Sequence, residues 1–333
     1  MVQDKQLSSP KEKTTWRKLF WVVKLVVTLL IVSYIYHTFE NEQKGIQDIG
    51  LVYKTIFAEN HILIICLILI LVPVNWALES LKWQRLARKA VPVNFWEAFR
   101  GTLTGLAIGV AAPAQLGDTI GRVASLRSHD RLKAIGAALV SNGIQFYVSI
   151  IGGGTGLLWV GEKLGLSPLA KSVLNTLLIV LIILAVLIVS RRRKLSEWKT
   201  ERVFLKKLLS YFEIIGRYSA TDLAVATVFG TLRYLVFLSQ FVLVLSLFDF
   251  GLSYANLSAC AALIFLAKTL IPAVNVLGDL GLREFTALFV FKQYNLPAEQ
   301  IIAATFLVWI INVLGPILVG IFLIWKYKWK GLK

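Results

Sequence analysis

Pro113-Ala114-Gln115-Leu116-Gly117-Asp118-Thr119-Ile120-Gly121-Arg122 and Pro272-Ala273-Val274-Asn275-Val276-Leu277-Gly278-Asp279-Leu280-Gly281-Leu282-Arg283 are two versions of one element. Each reads Pro-Ala, then Leu-Gly-Asp, then an Arg four residues beyond the Asp. The chain around them is 57% hydrophobic, with a mean hydropathy of +0.70 over 333 residues. That composition fits a multi-span membrane protein and no soluble globule. Ionisable groups at membrane depth are costly enough to imply a task, and duplicated, interrupted helices mark the central site of many membrane carriers.

Six apolar runs reach the roughly 20 residues needed to cross a bilayer: Leu19 to Phe39, Ile62 to Leu81, Ala134 to Trp159, Ser172 to Ser190, Leu223 to Phe248 and Ile301 to Trp325. Two more apolar stretches, 98–127 and 255–291, carry the repeated element and are interrupted by its Pro and Gly. They read as re-entrant or short-span helical hairpins broken at Pro113 and Gly117, and at Pro272, Gly278 and Gly281. The expected fold is therefore all-α and polytopic.

Charge orients it, because cytoplasmic loops collect Lys and Arg. The arm 1–18, the groups Lys82, Arg85, Arg88 and Lys89, the group Arg127, Arg131 and Lys133, the run Arg191 to Lys194 and the tail 326–333 are basic and are expected inside. Residues 40–60, with four acids against two Lys, and the charge-poor loop 160–171 are expected outside. Both termini then lie in the cytoplasm of a bacterial-type inner membrane. Two full crossings per hairpin give the same parity as re-entry, so charge leaves that choice open. The formal charge of +17 resides between apolar runs, which favours contact with anionic inner-leaflet lipid over nucleic acid. Between the fourth and fifth spans, Trp198, Leu205, Leu208, Leu209, Phe212 and Ile215 recur at helical spacing, as in an amphipathic helix lying on a membrane surface.

An offset of about 161 residues carries Asp118 onto Asp279, the second span onto the fifth and the third onto the sixth. Residues 19–159 and 160–325 thus form two repeats, the second including a cytoplasmic loop at 191–221. Each has three full crossings, so the second is inserted upside down. Each hairpin is expected to restart as a helix near Asp118 or Asp279, with its N–H groups and positive dipole end facing inward. Arg122 and Arg283 follow one turn later, and guanidinium forks suit phosphate. The same residues also read as N-caps and as ordinary i, i+4 helix pairs.

Glu284, Lys268, Arg233, Asn142 and Gln145 join them as candidate substrate-binding groups, with Asn75, Glu79 and Asn312 as further polar residues inside spans. Gly152 to Gly156 reads as a close-packing stripe, and Trp16, Trp21, Trp83, Trp159, Trp325 and Trp329 read as interface anchors. Cys66 and Cys260 stand in apolar runs without a paired framework. No catalytic motif, metal cluster or cofactor site is expected, and a homo-oligomer is left open.

The first motif, the segment Gly278-Asp279-Leu280-Gly281-Leu282-Arg283-Glu284 and the stretch Asn75 to Trp83 resemble the transmembrane region of lysylphosphatidylglycerol synthases and its stand-alone, flippase-like relatives. The resemblance covers about Phe20 to Trp325. It implies movement of a phospholipid or glycolipid head group between leaflets without its synthesis, so no enzyme activity, and carries over to Arg122, Arg283 and Glu284. Asp118 stands where that family usually has Glu, Gln115 lies where an Arg is frequent, and Gly278-Asp279 replaces a usual Gly-Gly. Asn142 and Gln145 occupy positions that are often charged there. A transporter of a small soluble anion and a non-catalytic subunit of an envelope-synthesis system are the alternative readings.

Single-cysteine labelling in a background lacking Cys66 and Cys260 checks the orientation. Lys163→Cys should react from outside intact cells, and Ser128→Cys only after permeabilisation.

Overall fold

A computed structural model describes residues 50, 54, 58, 61–111, 116–197, 215–271 and 282–326, and among these every regular element is helical. In chain order they are α1 (Ile62–Ala87), the first hairpin α2 (Phe95–Ala111) and α3 (Leu116–Ala124), α4 (Ile135–Val160) and α5 (Pro168–Glu197). Then follow α6 (Ala220–Ser246), the second hairpin α7 (Tyr254–Leu270) and α8 (Leu282–Phe291), and α9 (Ala298–Trp309), which continues through a π-helical turn (Ile310–Leu314) into α10 (Gly315–Lys326). Among the described residues, five stretches are long and apolar enough to cross a membrane: Ile62–Ala87, Arg131–Val160, Pro168–Lys194, Ala220–Ser246 and Ala298–Lys326. These are the second to sixth expected spans. The first expected span, the amphipathic segment from Trp198 and the breaks at Pro113, Pro272, Gly278 and Gly281 lie outside the described residues, as does most of the tail.

Local sequence explains where the helices begin. Ser219 opens α6 with a reciprocal cap: its hydroxyl accepts from the Asp222 backbone N–H, and the Asp222 carboxylate accepts from the Ser219 N–H. Asp222 also holds Arg85 at 2.8 Å and Lys89 at 3.1 Å, which fastens the end of α1 to the start of α6. At the other end of the pair, Gln240 of α6 donates to the Ile68 carbonyl of α1 at 3.0 Å. The two helices are therefore antiparallel neighbours along their lengths.

The first hairpin closes through glycine. A Cβ on Gly121 would lie 2.5 Å from the Gly105 Cα, and one on Gly117 would strike the Ile108 carbonyl oxygen. Where no side chain intervenes the backbones of α2 and α3 meet directly, as small residues allow between helices in lipid. Gly117, expected at the break, is instead the second residue of α3, where it serves this contact. At about 1.5 Å per residue, the nine residues of α3 rise about 14 Å, roughly half a hydrocarbon core.

Helices α4 and α10 each pack on a hairpin helix distant in the chain. Gly153 and Gly156 of α4 press on Leu266, Ala262 and Ala259 of α7, while Gly320 of α10 meets the Leu103 carbonyl and Ala107 of α2. Gly152 and Gly154 admit Tyr234 and Leu178, so the glycine stripe is a packing feature, as expected. The π turn falls just before Pro316, whose missing N–H and bulky ring disturb the helical ladder at Asn312. By contrast α5 exposes Val173, Leu177, Ile183 and Leu187, an apolar surface suited to lipid. It also runs on to Glu197, past the expected end at Ser190, so Arg191 to Lys194 continue the helix.

Gly121→Leu should cost about 1–3 kcal/mol of stability by overpacking. A Leu at Gly143, where nothing lies within 4 Å of an added Cβ, should be nearly neutral. Thermal unfolding of both purified variants in detergent reads the difference.

Candidate functional site

Five charged side chains from α1, α3 and α6 converge in the interior. Glu79 is the hub. Its carboxylate contacts Lys82 Nζ at 2.7 Å, accepts from Arg122 Nη1 at 2.8 Å and lies 3.2 Å from Arg233 Nε. Arg122 in turn donates from Nε to both carboxylate oxygens of Asp118 at 2.8 Å, the i, i+4 pair read from the motif. Helix α4 completes the ring. Asn142 donates to Asp118 Oδ2 at 3.3 Å, and Gln145 accepts from Lys82 Nζ at 3.0 Å.

Helix geometry explains the convergence. Glu79 and Lys82 are three residues apart on α1 and so share a face, as do Asn142 and Gln145 on α4. The close α2–α3 approach brings Asp118 and Arg122 to that depth, since the Asp118 carbonyl lies 2.7 Å from a Cβ built on Gly105. Two indoles support the cations: the Arg122 guanidinium carbon lies 5.9 Å from the Trp83 ring centroid, and that of Arg233 lies 5.4 Å from Trp76.

Burial makes this arrangement expensive and therefore informative. Glu79 and Lys82 are 2% and 0% exposed and Arg122 is 4% exposed, while the Arg233 side chain retains 19% exposure. Taking such ions out of water costs several kcal/mol each unless partners compensate. Three cations here meet two carboxylates, which leaves one positive charge in excess. Glu79 Oε2 and Arg233 Nε are in charge contact without an aligned hydrogen bond. Arg233 is thus the cation of the ring that both opens to space and retains donor capacity.

Of the remaining candidates, Arg283 and Glu284 lie on a different helix from the ring. Arg283 and Glu284 are buried at the start of α8 and pair with each other at 3.0 Å. Helix α8 packs on α7 and α9, whereas the ring is carried by α1, α3, α4 and α6. Lys268 is half-buried in the last turn of α7, and Asp279 lies outside the described residues. Asn75 and Asn312 are buried, with the Asn75 Oδ1 and both Asn312 amide atoms lacking a hydrogen bond.

The structure corrects two positions. Lys82, by sequence one of the cytoplasmic loop cations, is wholly buried against Glu79; the i, i+3 spacing of opposite charges on one apolar helix is the signal that could have found it. Trp83, by sequence an interface anchor, is 0% exposed beneath Arg122. Trp159, 64% exposed, keeps the anchor reading and donates to Asn256.

The family described as lysylphosphatidylglycerol synthase TM region matches residues 21–320. The chain belongs to that family. Comparison with curated proteins and with solved structures gave no match. Membership agrees with the resemblance carried by the two motifs and marks an integral membrane protein related to lipid handling.

Glu79→Gln should destabilise the fold by about 3–5 kcal/mol, because Lys82 and Arg233 would lose the carboxylate that both contact. Adding Lys82→Met should recover part of that loss, and a double-mutant cycle from denaturant unfolding would measure the coupling.

Proposed function

We propose that the chain carries the polar head group of a membrane phospholipid or glycolipid between leaflets while the acyl chains stay in the bilayer. The observation that carries this reading is the buried ring with one excess positive charge, centred on Glu79 and open at Arg233. Arg233 meets the phosphate first through its spare donors, with Arg122 behind it. Glu79 and Asp118 keep both guanidinium groups oriented and supply acceptors for a cationic or hydroxylated head group. Asn142 and Gln145 line the same path as neutral partners.

In this reading Arg283 and Glu284, with Lys268 and Asp279, serve the opposite leaflet as the second repeat's counterpart. The antiparallel α1–α6 pair and the exchange of last helices between halves support an inverted repeat. The short α3 supports a re-entrant hairpin. Both termini lie in the cytoplasm of a bacterial-type inner membrane. No bond in the lipid is made or broken, so the chain acts as a carrier and not as an enzyme.

Leaflet exchange of head-group-labelled lipids in reconstituted vesicles tests the reading. Arg233→Gln should lower the exchange rate at least tenfold, and Arg233→Lys should retain part of it. Full exchange by a folded Arg233→Gln variant would overturn it. Phosphate uptake without lipid exchange would point to the soluble-anion alternative.

A further inference from the structure

A second cationic site lies at the end of the first hairpin. A cavity of about 600 Å³ opens between α2, the segment that follows α3, and the last turn of α10. Arg100, Arg127, Arg131 and Lys326 line it, with Thr104 and Phe322 among their neighbours. Among the described residues, no carboxylate lines it. The nearby Glu97 is 3.7 Å from Arg127, which is a weak contact for a side chain 67% exposed, so about three positive charges remain uncompensated. The carbonyl end of α3 faces the same region, but a helix terminus contributes only about half a charge and does not cancel them. Lys326 extends over the Phe322 ring, 5.6 Å from its centroid, and Phe322 is itself 61% exposed on an apolar helix. Cationic side chains and an apolar wall thus border one opening. The cavity has the size of a head-group site, larger than a single ion needs.

From this geometry we infer that the pocket binds a phosphate-bearing head group of about two negative charges, presented by an anionic lipid of the adjacent leaflet. One phosphodiester supplies a single charge, whereas a phosphomonoester carries about 1.5–2 and a bisphosphate head group two. Three uncompensated cations select for the latter classes. Basic pockets between membrane helices take such head groups on the cytoplasmic side. The pocket shares no side chain with the Glu79 ring, so this inference does not depend on the carrier reading.

Native mass spectrometry of the full chain from phosphatidylcholine nanodiscs doped equally with cardiolipin, phosphatidate and phosphatidylglycerol is the test. Wild type should retain cardiolipin or phosphatidate at least tenfold over phosphatidylglycerol. Arg100→Gln/Arg131→Gln should lose that preference while keeping its melting temperature, and Arg131→Gln alone should weaken it. Calorimetry with inorganic pyrophosphate separates the sources. Pyrophosphate binding that the double variant abolishes, without any lipid preference, supports the same pocket with a soluble ligand. Equal retention of all three lipids with no pyrophosphate binding overturns the inference, as does binding that the double variant leaves unchanged.

Discussion

One carboxylate, that of Glu79, makes the interior of this protein tenable. Lys82, Arg122 and Arg233 come from three different helices and would repel one another without it. With it, α1, α3 and α6 are tied at a single point, and α4 is drawn in through Asn142 and Gln145. Packing elsewhere can be supplied by many apolar side chains. This contact cannot, because an unpaired charge at such burial costs more than several methylene contacts return.

The glycines of the first hairpin serve that ionic point. Helices α2 and α3 approach until the Gly121 and Gly105 backbones touch, which carries Asp118 and Arg122 to the depth of Glu79. A larger residue at either glycine would separate the helices and draw Arg122 away from its partner. Steric fit and charge pairing are consequently one constraint on the α2–α3 hairpin. In the second hairpin, Arg283 pairs with the adjacent Glu284 on α8, whereas Arg122 of the first reaches a carboxylate on a different helix, Glu79 of α1.

Much of this is legible in the sequence because lipid leaves so few options. Long apolar runs must be helices, and five of the expected spans coincide with helices. The pair Asp118–Arg122 follows from spacing, and Arg233, Asn142 and Gln145 follow from polarity inside apolar runs. Lys82 and Trp83 escape a sequence reading because charge and aromaticity near a helix end look alike whether they face head groups or a buried partner. Only the position of α6, which brings Arg233 beside Trp76, and of Arg122 above Trp83 separates the two cases. The cavity beside Arg100 is equally invisible, since its cations come from segments far apart in the chain.

The π turn at Ile310–Leu314 has a consequence for the phase of the last span. A π turn adds one residue to the helical count, and each residue advances an α-helix by about 100°. Ahead of it α9 presents its face to α8 and α6; beyond it α10 presents Gly320 to α2. Removing one residue from the turn would rotate Gly320 away from the Leu103 carbonyl by more than a quarter circle. The extra residue thus acts as a gearing between the halves: one continuous rod meshes with the second hairpin along its first half and with the first hairpin along its second.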